Sequence, residues 1–562
     1  MKNSGNIFTR RALLAGGMKS LVVTSVLPHL SAMGLKTDST LRAVNIMNFI
    51  RAEEPREKMD LFQPVREQMR LIKEHKLPAT WLLQYDALVE GPFVEFLKAE
   101  MPSDHEVGIW FEMNRKICDD AAIAWRGNPA WEWDYHVPIA YAIGYTPDER
   151  RKLADTAMST FRRMFGRDAK SIASWNLDAI TIAHLSDTYH VDAFGNCRDQ
   201  LATDGFTIWG APIAAYYPSR KNAWSPALET KNQITTPMFR LLGQDPVYYY
   251  DKVLPYPDTM EPVWPSGQSE IFVDRFLEMI AKTSSLQCAY AQLGQENSFG
   301  WARMSEAYPM QMTKLSQARE KGLIVETMGE TGRRFKRSFQ ETPAQAQIML
   351  QDPYGKTNAP ERTVWYQSKF LRADLHFRGN EFYLRDLHVY SDGYAEPYLS
   401  QTARQHGIQQ RMLAVLDGYH WSDEAVRSGH SGRRAMARFG IVDKNGAFTP
   451  FILNGQPNVH QTDTSLQTTV PLAGNEELTV LFHERYIDFK LSGKRRHDAQ
   501  LALLFEWADN LSTLVDAAPD QLKYRFDGFE YAVHITNGVA SKTADEVKIV
   551  ARENSLRLMM AQ

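Results

Sequence analysis

Residues 79–112 place the tightest constraint on how this chain folds. Ala79-Thr80-Trp81-Leu82-Leu83-Gln84-Tyr85-Asp86-Ala87-Leu88 is followed by a short helical segment and then by His105-Glu106-Val107-Gly108-Ile109-Trp110-Phe111-Glu112. Both outer segments are short apolar runs that stop abruptly at polar residues, as strands buried on two faces do. Strand, helix and strand in that order predict a βαβ unit. In an α/β barrel the loops that follow the strands carry the chemistry, because they vary without disturbing the buried sheet. Gln84, Asp86 and Glu112 are then expected at the mouth of a cleft that further strands must close.

A chain of 562 residues is too long for one compact core and predicts two or three domains. A formal net charge of -3 gives no electrostatic footing for a nucleic-acid partner. The 13 Trp and 23 Tyr suit stacking on sugar rings as well as core packing. The three cysteines, Cys118, Cys197 and Cys288, are far apart, which excludes a disulfide framework or a Cys-rich zinc site and predicts buried thiols.

Thr9-Arg10-Arg11-Ala12-Leu13-Leu14 precedes a weakly apolar run to about Ala32 that Gly16, Gly17 and Lys19 interrupt. A twin arginine ahead of such a run resembles a Tat export signal; the competing reading is an amphipathic or disordered N-terminal helix. The run is too short and polar for a permanent span, and no later segment is long and apolar enough. Residues 1–34 are therefore set apart as a signal segment, with a periplasmic or secreted mature protein expected.

Along the rest of the chain, strands are predicted at Val44–Ile50, Lys170–Trp175, Val191–Gly195, Phe206–Gly210, Gln287–Leu293 and Leu323–Thr327. Helices separate them. One carries Leu61, Val65, Met69 and Ile72 at helical spacing, and another opens on the capping box Thr146-Pro147-Asp148-Glu149 and stops at Gly166. The alternation predicts a largely parallel sheet closed into a barrel over residues 35–330. Two aromatic-rich segments, 114–145 and 216–267, read as long loops over the cleft. Beyond Glu330, alternating segments such as Phe382–Val389, Leu478–Phe482 and Phe529–Ile535 predict a β-rich sandwich domain over 331–562.

Several strings resemble the polysaccharide deacetylase superfamily, whose domain is an irregular (β/α)7 barrel. Ala79-Thr80-Trp81-Leu82 is similar to its A-T-F-F strand, Asp104-His105-Glu106-Val107-Gly108 to its G-H-E-I-G strand, and Phe165-Gly166-Arg167-Asp168-Ala169-Lys170-Ser171 to its G-x-x-P-K entry. The resemblance covers residues 43–330 and implies that barrel. The family's metal motifs do not carry over: Met47-Asn48-Phe49-Ile50 holds the place of T-F-D-D-G, and Trp110 and Asn114 hold the places of its paired histidines. Architecture at this level is also similar to glycoside hydrolases with such barrels followed by β-sandwich domains. Function must still come from the site.

Glycoside hydrolysis needs two carboxyl groups, one protonated as acid and one ionised as nucleophile or base. Glu296, Glu112, Asp178 and Asp204 are the candidates, each at or near a predicted strand end. Glu296 reads equally as an acid favouring the dipole of a helix near Trp301, Asp178 as a helix cap, and Asp204 as part of a turn with Gly205. Asn48, Tyr85, Asp86, Trp110, Trp133, Trp175, Trp209 and Gln295 are expected to line the cleft. Asp134 and His136 are expected to contact sugar hydroxyls, with a metal site as the alternative. No nucleotide loop or G-x-S-x-G elbow is present. The sequence therefore points to an exported glycoside hydrolase acting on an oligosaccharide or polysaccharide without a cofactor. Its rivals are a non-catalytic polysaccharide-binding barrel and a metal-dependent deacetylase or α-mannosidase-like hydrolase.

Overall fold

The structure is a computed structural model that describes residues 40–197, 200–203, 206–208, 214–248, 259–283, 285–406, 412–417, 435–493, 499–506, 513–543 and 546–561. The twin-arginine segment lies outside the described residues, as do Asp204 and Trp209.

Seven parallel strands form the N-terminal part: β1 (Leu41–Ile50), β2 (Thr80–Leu83), β3 (Glu106–Trp110), β4 (Ser171–Ser174), β5 (Ala193–Asn196), β6 (Met238–Arg240) and β7 (Cys288–Leu293). Their spatial order is β7-β1-β2-β3-β4-β5-β6, every neighbour parallel. Burial on both faces explains why strands such as β1, β2 and β7 carry adjacent apolar residues rather than a strict alternation. β1 is shared: Leu41–Ile46 pairs with β7, and Met47–Ile50 pairs with β2. No ladder joins β6 to β7 among the described residues, so the ring is not closed by backbone bonds. The gap is bridged by a side chain, Gln292 Oε1 accepting from Leu242 N at 2.8 Å.

The helices follow their sequence signals. Phe62–Glu74 buries Val65, Met69 and Ile72. Pro147–Phe165 begins with the complete Thr146/Glu149 capping box and ends on Gly166 at φ 71°. Three expectations are corrected. Phe206–Ile208 does not join the parallel sheet but forms a two-stranded antiparallel hairpin with Gln200–Thr203. The sixth parallel strand instead comes from Met238–Arg240, inside the segment read as loop; at three residues it is too short to show a period. Residues 323–327 make only an isolated parallel bridge, Val44 to Val325.

Gln345–Met349 meets β7 in parallel at Cys288, and the strands that follow it pair antiparallel. One set, including Glu361–Gln367, Leu371–Arg378 and Glu381–Val389, continues from β7 through Gln345–Met349. A second sheet of eight strands faces it. Tyr366 stacks on Phe482 and Phe439 meets Phe489 across a common apolar core. The protein is thus a mixed α/β fold with a parallel, barrel-like part and a strand-rich antiparallel part. All three cysteines are buried and outside any disulfide, and among the described residues no helix is long and apolar enough to cross a membrane.

Candidate active site

Because neighbouring strands are parallel, their C-terminal ends share one rim. Arg51 follows β1, Gln84 follows β2, Glu112 follows β3, Trp175 follows β4 and Glu296 follows β7. Arg51 organises the centre of this rim. Its Nη2 lies 3.0 Å from Oε2 of Glu112, its Nη1 lies 3.2 Å from Oε2 of Glu296, and its guanidinium stacks 4.2 Å from the centroid of the Trp133 ring. The backbone around it is fixed by Asn297, whose Oδ1 accepts from Arg51 N at 2.9 Å and whose Nδ2 donates to Arg51 O at 2.8 Å.

The sequence candidates part company here. Glu112 is 1% exposed and lies against Arg51, with Gln84 Nε2 donating to it at 3.2 Å. Burial pushes its carboxyl up to about 7, the Arg51 charge opposing and the Glu296 charge adding to the rise. It does not line the cleft. Glu296, 4% exposed, does, in a cavity of 330 Å³ together with Glu54, Arg56, Glu57, Trp175, Glu261, Trp264, Ser298, Phe299 and Arg303.

Glu261 was not expected from the sequence, since it falls in the Pro-, Tyr- and Trp-rich segment 216–267. Its carboxylate has three neutral donors: Thr259 Oγ1 at 3.0 Å, Trp264 Nε1 at 3.0 Å and Gln295 Nε2 at 3.2 Å. Burial pushes it up to about 7, and the charge of Glu296 pushes the same way against those bonds. Glu54 behaves oppositely: burial works against it, but hydrogen bonds from Arg56 and the charges of Arg51 and Arg56 hold it below the usual carboxylate range. Arg51 and Glu54 were visible only as part of a polar loop after the first strand; their position at a strand end was the available signal.

The remaining candidates are placed as follows. Gln295 serves the site by donating to Glu261, and Trp175 lines the cleft. Asn48 Oδ1 accepts from Gln295 N and Tyr308 Oη, so it positions the loop carrying Glu296 from behind. Trp133 contributes through its stack on Arg51, whereas Trp110 packs on Phe49 with ring centroids 4.1 Å apart. Asp86 accepts from Ala52 N and Glu53 N and pins the loop after β1; burial pushes it up to about 7. Tyr85 is not at the cleft, its hydroxyl bonding Asp120 and Thr160. Asp178 is also elsewhere, capping the helix Ala179–Tyr189 through Ile180 N and Thr181 N and paired with Arg150 at 3.1 Å. Asp134 accepts from His136 Nδ1 at 2.6 Å and from Asn128 N; His136 is half-buried, and neither side chain lines the cleft.

The divalent metal of the superfamily that the sequence strings resemble does not fit these residues. Asn48 is engaged as described, Trp110 is packed in the core, and Asn114 Oδ1 accepts from Ile117 N at 3.0 Å as a helix cap. Among the described residues no group of three or more His, Cys, Asp or Glu side chains is arranged to hold a metal.

Fold and site together define an α/β protein with a carboxylate-bearing, aromatic-walled cleft at the C-terminal rim of parallel strands. Solved structures similar to this chain include a protein of Parabacteroides distasonis provisionally named a glycoside hydrolase/deacetylase (15% identity, 66% of this chain, 91% of that one, TM-score 0.47). A provisionally named polysaccharide deacetylase of Mycobacterium smegmatis matches at 11% identity, over 54% of this chain and 93% of that one, with a TM-score of 0.32. A CE4 family pseudoenzyme from Bacillus anthracis matches at 9% identity, over 53% and 66%, with a TM-score of 0.26. No protein-family model and no curated protein matches the sequence.

Proposed function

We propose that the cleft hydrolyses a glycosidic bond in an oligosaccharide or polysaccharide, with Glu261 as general acid and Glu296 as nucleophile or base. The observation that carries this is the asymmetry between two carboxyls facing one cavity. Glu296 has a guanidinium beside it, whereas Glu261 has only neutral donors and is pushed up to about 7. A pair so divided has one group able to give a proton to the leaving oxygen and one able to attack or to activate water. Trp175, Trp264 and Phe299 supply apolar faces on which a pyranose ring can lie. Glu112, one of the candidate carboxyls from the sequence, becomes in this reading the second acidic partner that holds Arg51.

The residues present require no metal for this chemistry. Export fits the same reading: the Arg10-Arg11 pair before a weakly apolar run would deliver the enzyme to polysaccharide outside the cytoplasm.

The test is Glu261→Gln and Glu296→Gln, each assayed for release of reducing ends from a panel of polysaccharides. Each is expected to lose at least about 10²-fold in kcat, the usual size of an acid–base contribution, while the fold survives by circular dichroism. Wild-type turnover in either variant removes that residue from the reaction. Binding of glycan with no bond cleavage by the wild type would make the protein a lectin-like barrel.

A further inference from the structure

Among the described residues, Arg51, Arg150, Arg240, Arg372 and Arg385 are the fully buried arginines. Four of them have carboxylate partners: Glu112 and Glu296, Asp178, Asp386 and Asp374 respectively. Among the described residues Arg240 has none. It is 2% exposed, its Nη1 lies 3.4 Å from the Cys197 carbonyl, its guanidinium interacts with the Tyr216 hydroxyl, and its Nε and Nη2 have no hydrogen-bond acceptor. Its other neighbours are the Trp224 ring at 4.6 Å and the Tyr216 ring at 5.4 Å. A guanidinium taken out of water with half its donors empty is strongly disfavoured unless an anion completes it.

The surroundings repeat the pattern. Trp224 Nε1 and both polar side-chain atoms of Asn176 are likewise buried without partners. Arg240 stands opposite Asn196 in the β5–β6 register, and Asn196 in turn holds Leu177 through Leu177 N and Leu177 O. Asn176 therefore belongs to the same corner of the rim, and its neighbour Trp175 lines the cleft. Glu396, the acid that reaches this corner, spends its oxygens on Ala179 N and Ala223 N.

We propose that Arg240, with Trp224 and Asn176, forms a subsite for a carboxylate, and that the sugar bound beside the cleft is a hexuronic acid. Nε and Nη2 are the side-by-side donors of the guanidinium, the edge that meets the two oxygens of one carboxylate in parallel. The indole N–H and the Asn176 amide add neutral donors suited to carboxylate or ring hydroxyl oxygens. The carboxylate site stands on its own geometry; its service to a glycosidase rests on the function proposed above.

Binding of D-glucuronate and D-galacturonate to the full chain, measured by titration calorimetry against D-glucose, D-galactose and inorganic sulfate, tests this. The uronates are expected to bind and the neutral sugars to bind at least roughly tenfold more weakly. Arg240→Lys keeps the charge but not the fork and should weaken uronate binding about tenfold; Arg240→Met should abolish it. Without ligand, Arg240→Met should melt no lower than wild type, because it replaces an uncompensated buried charge with an apolar chain. Binding is read without turnover, so a wild type that binds uronate but cleaves no glycan loses the catalytic assignment and keeps this site. Equal binding of uronate and neutral sugar, or unchanged uronate binding in Arg240→Lys and Arg240→Met, overturns the proposal. Sulfate competing as well as uronate overturns its carboxylate selectivity.

Discussion

Arg51 Nη1 lies 3.2 Å from Glu296 Oε2, and this ion pair makes one carboxylate of the cleft different from the other. Glu261 faces the same cavity with only hydroxyl, indole and amide donors. The division of labour proposed for the two acids follows from the Arg51 guanidinium lying beside Glu296 and not beside Glu261.

Glu261 and Glu112 both have folded-state pKa values raised to about 7, against the ordinary 4.5 of a glutamate. The folded protein therefore holds protons that the unfolded chain has released between about pH 4.5 and 7. Stability from these groups is present below the unfolded value and is lost as pH rises through the folded one. Glu261→Gln should flatten this fall, so its Tm should exceed that of the wild type at pH 8 by an amount worth on the order of 2–3 kcal/mol. A variant that melts lower than wild type at pH 8 while matching it at pH 5 contradicts the assignment.

Activity should show the same group. As general acid, Glu261 must be protonated, so kcat should fall with rising pH on a limb centred near 7. A pH–rate profile that stays flat from pH 6 to 9 would exclude this role.

Arg51→Met leaves Glu112 and Glu296 buried beside each other without their shared cation. The expected cost is about 3–5 kcal/mol of folding stability, read by urea denaturation. Adding Glu112→Gln should recover part of the loss, because it removes one of the stranded charges. If the double variant is no more stable than Arg51→Met, the two residues are not coupled in the way described.

Gly294 links β7 to the Gln295–Glu296 loop at φ 107°, and a Cβ there would lie 2.2 Å from the Met47 carbonyl oxygen. Gly294→Ala must shift either β1 or the loop. The expected result is a loss of about 1–3 kcal/mol from the strained backbone, with reduced kcat through displacement of Glu296. Thermal melting and the reducing-end assay together decide it; unchanged values in both would show that the loop adjusts freely.

Local signals in the sequence determined much of the scaffold. Short stretches of adjacent apolar residues marked β1 to β5 and β7, since a strand covered on both faces has no consistently polar side to show. The Thr146/Glu149 box and Gly166 bounded a helix because caps are made by residues three positions apart. Glu296 was legible as a strand-end carboxylate for the same local reason. Other features depended on contacts between residues far apart in the chain. The Phe206 run formed a hairpin rather than a sheet strand, because pairing partners are chosen in space. Met238–Arg240 entered the parallel sheet with too few residues to carry a pattern. Glu112 and Glu296 reached one guanidinium across 61 and 245 positions of sequence, and Glu261 acquired its three donors from a segment with no period at all. Tertiary structure alone decided which acids are paired and which are left neutral, because the charge beside a carboxyl group is set by distance through space.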